Sequence, residues 1–259
     1  PVFVDVDEVS YNIDVSKIED KITNKTKAIM PVSLYGQVSD MEEINTIAEK
    51  HNLPVIEDAA QSFGATYNNK KSCNLSTIGC TSFFPAKPLG CFGDGGAVFT
   101  NDEALAKKIS SLRLHGQTKR YYHKYIGMGG RLDAMQAAVL NVKLKYYNED
   151  ISRRQDVAKK YSEFISDNTI KPLISNNKTS VWAQYSIRVN NREEVQATLK
   201  EQGIPTAVHY PLPLHMQECF KYLGLKEGDF PISEKVAKEI MSLPMNPYLS
   251  TEEIKYIAN

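Results

Sequence analysis

Nowhere in these 259 residues does an apolar run approach the ~20 positions that a membrane-spanning helix needs. An excess of one charge is also lacking. Thirty-one lysines and arginines balance 31 aspartates and glutamates, so the total gives no support for a nucleic-acid or anionic-membrane partner. Cysteine is scarce: Cys73, Cys80, Cys91 and Cys219 form no CxxC pair, and no histidine pair has HExxH spacing. No metal site is therefore expected. Free buried thiols in a reducing cytoplasm are the plainer reading. Pro1 to Asp7 has no basic region, long apolar segment or cleavage site, so no signal peptide is expected and the expected location is cytoplasmic. There is no internal repeat and no low-complexity tract.

What is present is an alternation. The length suits one large domain or two modest ones. Val2 to Val6 reads as a short strand, Lys27 to Tyr35 as another ending in a Tyr-Gly turn, and Asp40 to His51 as a helix. Met41, Ile44, Ile47 and Ala48 mark one face of that helix, and Asp40 is placed to cap it. Leu53 to Ile56, Ile78 to Phe84 and Ala97 to Phe99 are further strands. Strands alternating with helices predict an α/β fold with a largely parallel sheet covered on both faces. Leu132 to Tyr147 reads as one long helix with Leu132, Met135, Val139 and Val142 on a face, and Ser152 to Ile165 as a second. Trp182 to Val189 alternates like a strand, Glu193 to Gln202 is helical, and Pro205 to Tyr210 is strand-like. These elements predict a large domain over residues 1–147 and a smaller α+β C-terminal domain over 148–259. The chain opens on a strand at a proline with no leading element, which reads as a piece of a longer protein.

Several residues have chemical potential. Glu57 and Asp58 are adjacent at a strand end, so they point to opposite faces and make a poor acid–base dyad. One of them can reach the crevice at the carboxyl end of the strands; the alternative is that both cap a helix starting at Ala59. Lys87 follows an apolar strand between Pro85 and Pro88, which restrict the backbone. A lysine desolvated there is a nucleophilic amine suited to Schiff-base chemistry; a surface lysine in a kinked loop is the blander account. Gly90, Gly93, Gly95 and Gly96 follow without the ending of a P-loop, and allow a tight turn close to a bound group. His209-Tyr210-Pro211 closes a strand-like segment, where a lone histidine is more often structural. The basic run Lys119 to Lys124 serves either phosphate binding or a solvated loop.

Taken in order, the segments Glu57-Asp58-Ala59-Ala60-Gln61-Ser62, Ser82-Phe83-Phe84-Pro85-Ala86-Lys87 and Gly93-Asp94-Gly95-Gly96-Ala97 resemble the DegT/DnrJ/EryC1/StrS family of sugar aminotransferases. Arg113-Leu114-His115-Gly116, Gly127 through Asp133, and His209-Tyr210-Pro211 continue the likeness over nearly the whole chain. The resemblance implies the three-layer large domain of pyridoxal-phosphate fold type I. It implies Lys87 as the Schiff-base lysine and proton shuttle, Asp58 on the pyridine nitrogen, Ser82 on the cofactor phosphate and Gln61 against the cofactor. It also implies His209, Tyr210 and Arg131 on the substrate side, with Arg131 reaching the partner's site in a homodimer with shared active sites.

Two departures accompany the likeness. Gly129 stands where the family usually has an asparagine that contacts the partner's cofactor phosphate. The family's N-terminal portion, with a helix terminus for the phosphate and a stacking aromatic ring, has no counterpart here, so residues 1–259 alone are expected to bind the cofactor weakly. The stretch Lys70 to Phe99 is most similar to enzymes acting on UDP-linked 3-keto-hexuronic acids. The implied reaction takes an amine from an amino acid, glutamate by expectation, onto a keto-sugar nucleotide for a surface polysaccharide or glycan. A 4-keto-6-deoxy sugar nucleotide is the alternative substrate. A sugar dehydratase on the same fold would carry histidine in place of Lys87. A truncated, inactive scaffold would have no need of Asp58, Ser82 and Lys87 together.

Overall fold

A computed structural model describes residues 1–259 and centres on a small mixed sheet. Helix α1 (Met41–Lys50) precedes strand β1 (Ile56–Asp58), a two-residue hairpin of β2 (Thr66–Tyr67) and β3 (Lys70–Lys71), then β4 (Ile78–Ser82) and β5 (Gly96–Phe99). The sheet order is β1-β4-β5, with β1 parallel to β4 and β5 antiparallel to it. Ile29 and Val32 add parallel bridges to Val55 and Asp58 on the other side of β1. The sheet is therefore less uniformly parallel than the alternation predicts. The return from β4 runs through residues 83–95 without a helix, and a connection lacking a crossover helix brings its strand back antiparallel. The expected strand over 27–35 is reduced to those two bridges. Pro31 has no amide to donate, and a turn follows at Leu34–Gly36.

α1 buries Met41, Ile44 and Ala48 at helical spacing against Val38, Val55 and Val181. Asp40 precedes it without capping it; its carboxylate accepts from Lys178 Nζ at 2.8 Å instead. Helix α2 (Glu103–Arg113) is capped by Asp102, which accepts from Leu105 N at 2.9 Å. A hairpin of β6 (Gln117–Lys119) and β7 (Tyr122–His123) follows.

The single helix expected over 132–147 is two helices, α3 (Ala134–Lys143) and the start of α4 (Tyr147–Phe164). Asp133 is extended and ends the first on its N-terminal side. Half of the expected apolar face points outward as well: Met135 is 78% and Val142 58% exposed, while Leu132 packs beside the buried Leu140 and Val139 is half-buried. α4 begins at Tyr147 rather than Ser152 because Tyr147 is itself a core residue against Phe83, Leu89 and Cys91.

Strands β8 (Tyr185–Arg188) and β9 (Ile240–Leu243) pair antiparallel and are buried at every position. Between them lie α5 (Arg192–Glu201) and α6 (Pro231–Glu239), and α7 (Thr251–Ala258) ends the chain. Val157, Tyr161, Tyr185, Met241 and Ile254 join α4, α7 and the strand pair in one core. α7 starts at a capping box: Glu253 N donates to Ser250 Oγ at 3.2 Å and Ser250 N to Glu253 Oε2 at 2.7 Å. Pro205 to Tyr210 is no strand and makes only the Ala207–Ser242 bridge. Val2 to Val6 is no strand either. Val6 bridges Ile13, and Asp5 reaches across to cap α6, accepting from Ile232 N at 3.1 Å, Ser233 N at 2.9 Å and Ser233 Oγ at 2.7 Å. No helix is long and apolar enough to cross a membrane.

Candidate active site

The two acidic neighbours at the end of β1 separate cleanly. Glu57 is fully buried and accepts from Ser72 Oγ and Cys73 N, each at 2.8 Å. Burial pushes its carboxyl above the usual range, against the pull of those hydrogen bonds. Glu57 therefore organises the turn at Ser72–Cys73. That turn lies so close to β4 that a Cβ on Gly79 would sit 2.4 Å from the Cys73 carbonyl oxygen. Asp58, on the other face, is half-buried. Its Oδ1 accepts from Ala60 N at 3.0 Å and caps the turn that follows β1, while Oδ2 has no partner in the chain.

Asp58 pairs with Cys80 across the parallel ladder, and Ser82 lies two residues further along β4. Both stand at the carboxyl edge of parallel strands, where open α/β sheets bind ligands. Ser82 Oγ accepts from Phe84 N at 3.2 Å, and Lys87 N donates to the Phe84 carbonyl at 2.9 Å, closing the turn that carries Lys87. The Lys87 side chain is half-buried and its Nζ makes no hydrogen bond or ion pair within the chain. Gly90 allows this turn to close: a Cβ there would meet the Pro85 carbonyl oxygen at 2.6 Å. The close approach at Gly90 is thus to the chain itself.

His209 reaches the same neighbourhood from the second half of the chain. Burial, and then the positive charge of Lys87, hold its imidazole below the ordinary histidine range. Its Nδ1 lies 2.9 Å from Ser242 Oγ. Gln61, buried, is not free: Oε1 accepts from Tyr35 N at 2.7 Å and Nε2 donates to the Tyr210 hydroxyl at 3.3 Å. Tyr35 in turn donates its hydroxyl to the His209 carbonyl. Burial pushes the Tyr35 phenol well up, so it stays a donor. The hydrogen bonds join Gln61 to His209 through Tyr35 and to Tyr210 directly, and the charge of Lys87 is felt at His209.

Sequence reading missed Tyr35 and Ser242. Tyr35 showed only as part of a turn, and its left-handed backbone (φ 56°) followed by Gly36 (φ 111°) is that turn's signature. Ser242 gave no signal, because β9 is buried on both faces and lacks alternation. Two sequence candidates stay apart. Arg131 is exposed and makes no hydrogen bond or ion pair within the chain. Gly129 is exposed, and a Cβ there would begin 3.0 Å from the His115 ring. The basic run forms an exposed hairpin whose charges lie over its own rings, Arg120 over Tyr121 at 4.9 Å and Lys119 over Tyr122 at 5.4 Å.

The donor set suits pyridoxal phosphate. An unpartnered carboxylate oxygen, a hydroxyl and an unpaired half-buried amine sit on the turns that leave one sheet edge. These match a ring nitrogen, a phosphate and an aldehyde in chemical type.

Comparison with known proteins gives the same direction. The model of the DegT/DnrJ/EryC1/StrS aminotransferase family matches residues 1–259. The chain is 54% identical over 258 residues to the UDP-2-acetamido-2-deoxy-3-oxo-D-glucuronate aminotransferase of Pseudomonas aeruginosa, covering 99% of this chain and 71% of that protein. It is 40% identical over 259 residues to the UDP-N-acetyl-3-dehydro-alpha-D-glucosamine 3-aminotransferase of Acidithiobacillus ferrooxidans, covering 100% and 70%. Among solved structures, a DegT DnrJ EryC1 StrS aminotransferase from Brucella abortus superposes with a TM-score of 0.94 at 41% identity, covering 100% of this chain and 71% of that one.

Proposed function

The chain belongs to the DegT/DnrJ/EryC1/StrS aminotransferase family, and we propose that it moves an amino group from glutamate onto the keto carbon of a UDP-linked 3-keto-hexuronic acid. The enzyme is a sugar aminotransferase that acts on a nucleotide sugar and uses pyridoxal phosphate. The 54% identity to the P. aeruginosa 3-oxo-glucuronate enzyme, over 99% of this chain, carries the choice of sugar. The products are the 3-amino sugar nucleotide and the 2-oxo acid left by the donor. Their expected destination is a surface polysaccharide or glycan.

When bound, pyridoxal phosphate supplies an aldehyde that takes the amine and a protonated ring that accepts electrons. The chain's own residues would do the rest. Lys87 would hold the cofactor covalently through its amine and carry the proton to and from the substrate carbon. Asp58 would keep the ring nitrogen protonated through its unpartnered oxygen. Ser82 would donate its hydroxyl to the phosphate. Gln61, pinned by Tyr35, would lie against the ring. His209 and Tyr210 would face the sugar.

A three-layer large domain over residues 1–147 and a small domain over 148–259 belong to the same reading. So does a homodimer in which Arg131 serves the partner's site. Its support is the lack of any partner for Arg131 and the broad apolar exposure nearby in sequence, with Ile126 100%, Met128 69% and Met135 78% exposed. Two-fold symmetry is the commonest closed assembly.

The test uses the full-length protein with UDP-2-acetamido-2-deoxy-3-oxo-glucuronate and glutamate, with the product followed by mass spectrometry. The reading expects the sugar nucleotide to exchange O for NH3, C=O becoming CH–NH2, together with release of 2-oxoglutarate. Turnover of a 4-keto-6-deoxy sugar nucleotide in preference to the 3-keto acid would replace the proposed substrate.

A further inference from the structure

His209 is held at both ends. Its carbonyl accepts from the Tyr35 hydroxyl, and its ring nitrogen Nδ1 lies 2.9 Å from Ser242 Oγ. Ser242 has a partner behind it: Ser186 Oγ lies 2.9 Å from Ser242 Oγ. The two serines face each other across the β8–β9 ladder and are 1% and 4% exposed. The main chain of Ser242 is bonded to Ala207 in both directions, at 2.8 and 3.2 Å, just before His209 along the chain. Two buried hydroxyls in series therefore end on one imidazole nitrogen.

We propose that Ser242, backed by Ser186, is a positioning residue that holds His209 as a single neutral tautomer, with the proton on Nδ1 and the lone pair of Nε2 left for the Lys87 side. This rests on the reading of Lys87 and His209 as members of one site.

The direction of the hydrogen-bond chain follows from its ends. Ser186 lines a partly enclosed cavity together with Gln184, whose Oε1 is buried and has no partner. A buried acceptor without a donor calls for one. The Ser186 hydroxyl meets that need when it donates into the cavity to a water that bridges to Gln184 Oε1. Ser186 Oγ is then the acceptor for the Ser242 hydroxyl, and Ser242 Oγ is the acceptor for Nδ1–H. At the other end stands the charge of Lys87. Burial and that charge both oppose an imidazolium. The other titratable groups against His209 are the phenols of Tyr35 and Tyr210, and burial holds the Tyr35 phenol protonated. With Nδ1 committed to Ser242, Nε2 is the nitrogen left, and a lone pair beside a cation is favoured over an N–H. His209 so held accepts a hydrogen bond, from the Lys87 ammonium or from a sugar hydroxyl, and does not compete for the proton that Lys87 carries.

The test is nitrogen NMR of the full-length protein carrying 15N-histidine. The His209 signals are assigned by their loss in His209→Gln. The wild type should show one neutral form with Nδ1 protonated and Nε2 bare. Ser242→Ala should give a mixture of tautomers, and kcat should fall about 5- to 10-fold, the rate equivalent of one lost hydrogen bond. Ser242→Thr, which keeps the hydroxyl, should restore the single form. A wild-type His209 that is mixed or carries its proton on Nε2 overturns the proposal, and that spectrum decides the matter even if Ser242→Ala does not fold. An unchanged spectrum in a folded Ser242→Ala overturns it too. If the tautomer is as stated but His209→Gln transaminates at the wild-type rate, Ser242 still positions the ring, and the substrate-side role of His209 is what fails.

Discussion

The hydroxyl of Tyr35 donates to the carbonyl of His209, joining residues 174 positions apart. The same tyrosine donates its amide to Gln61 Oε1. One side chain and one amide of a single residue thus fix two candidate site residues that come from opposite halves of the chain. The arrangement needs Tyr35 in a left-handed conformation and Gly36 at a point where a Cβ would meet Trp182 N at 2.7 Å. The site is braced from a turn that carries no reactive group of its own.

Tyr35→Phe removes the hydroxyl and keeps the ring against Tyr11, now 5.9 Å away between centroids. The expected cost is about 1 kcal/mol of stability, the usual net value of one hydrogen bond, read from urea unfolding. The Michaelis constant for the sugar nucleotide should rise while cofactor attachment stays intact.

Asp58→Asn in the full-length protein should keep the cofactor bound to Lys87 but lower transamination on the order of 100-fold, since it removes a charge aimed at the electron sink. Glu57→Gln should leave the rate within a few-fold and act on stability, because Glu57 serves Ser72 and Cys73. Single-turnover kinetics beside thermal unfolding separate the two. The reverse pattern would mean that the functional carboxylate is Glu57.

Lys87→Ala should abolish turnover and the visible absorption that borohydride bleaches in the wild type. Full activity in this variant would end the aminotransferase reading.

Asp5 gives a pH prediction. Burial alone would raise its carboxyl, but hydrogen bonds from Ser233, Val6 and Ile232 outweigh that and hold it below the usual range. A depressed carboxyl contributes its full stability above the unfolded value, about 3.9, and loses that contribution as pH falls through the folded value. Asp5→Ala should cost about 1 kcal/mol at pH 7, as loss of a helix cap does. The gap from wild type should narrow as pH falls below about 4 and close only below the depressed folded value. Urea titrations at pH 7 and pH 3 check this, and an equal gap at both would show that the carboxylate charge does not act on α6.

How much of this was legible depended on the distance over which each residue acts. Glu57 and Asp58 separate by the period-two rule alone, and the structure keeps that division. The helix over 41–50 follows from Met41, Ile44 and Ala48. The face of α3 was misread because Met135 and Val142 are apolar yet exposed, and periodicity cannot tell a face turned inward from one left outward. Asp40 was read as a local cap, but Lys178 takes its carboxylate from across the fold. Tyr35 with His209, Ser242 with His209, and Asp5 with α6 are long-range pairs that no local window contains.

The Asp5 cap also sets an order of events during synthesis. Asp5 and Ser233 are 228 positions apart, so at 5–20 residues per second the ribosome supplies the amides of α6 roughly 11–46 s after it supplies Asp5. For that interval Asp5 has no amides of α6 to hold, and Glu8 likewise waits for the guanidinium of Arg188, 180 positions on. The segment around Asp5 and Glu8 can thus complete these contacts only after residues 188 and 233 have emerged, and until then its two carboxylates stay without these native partners.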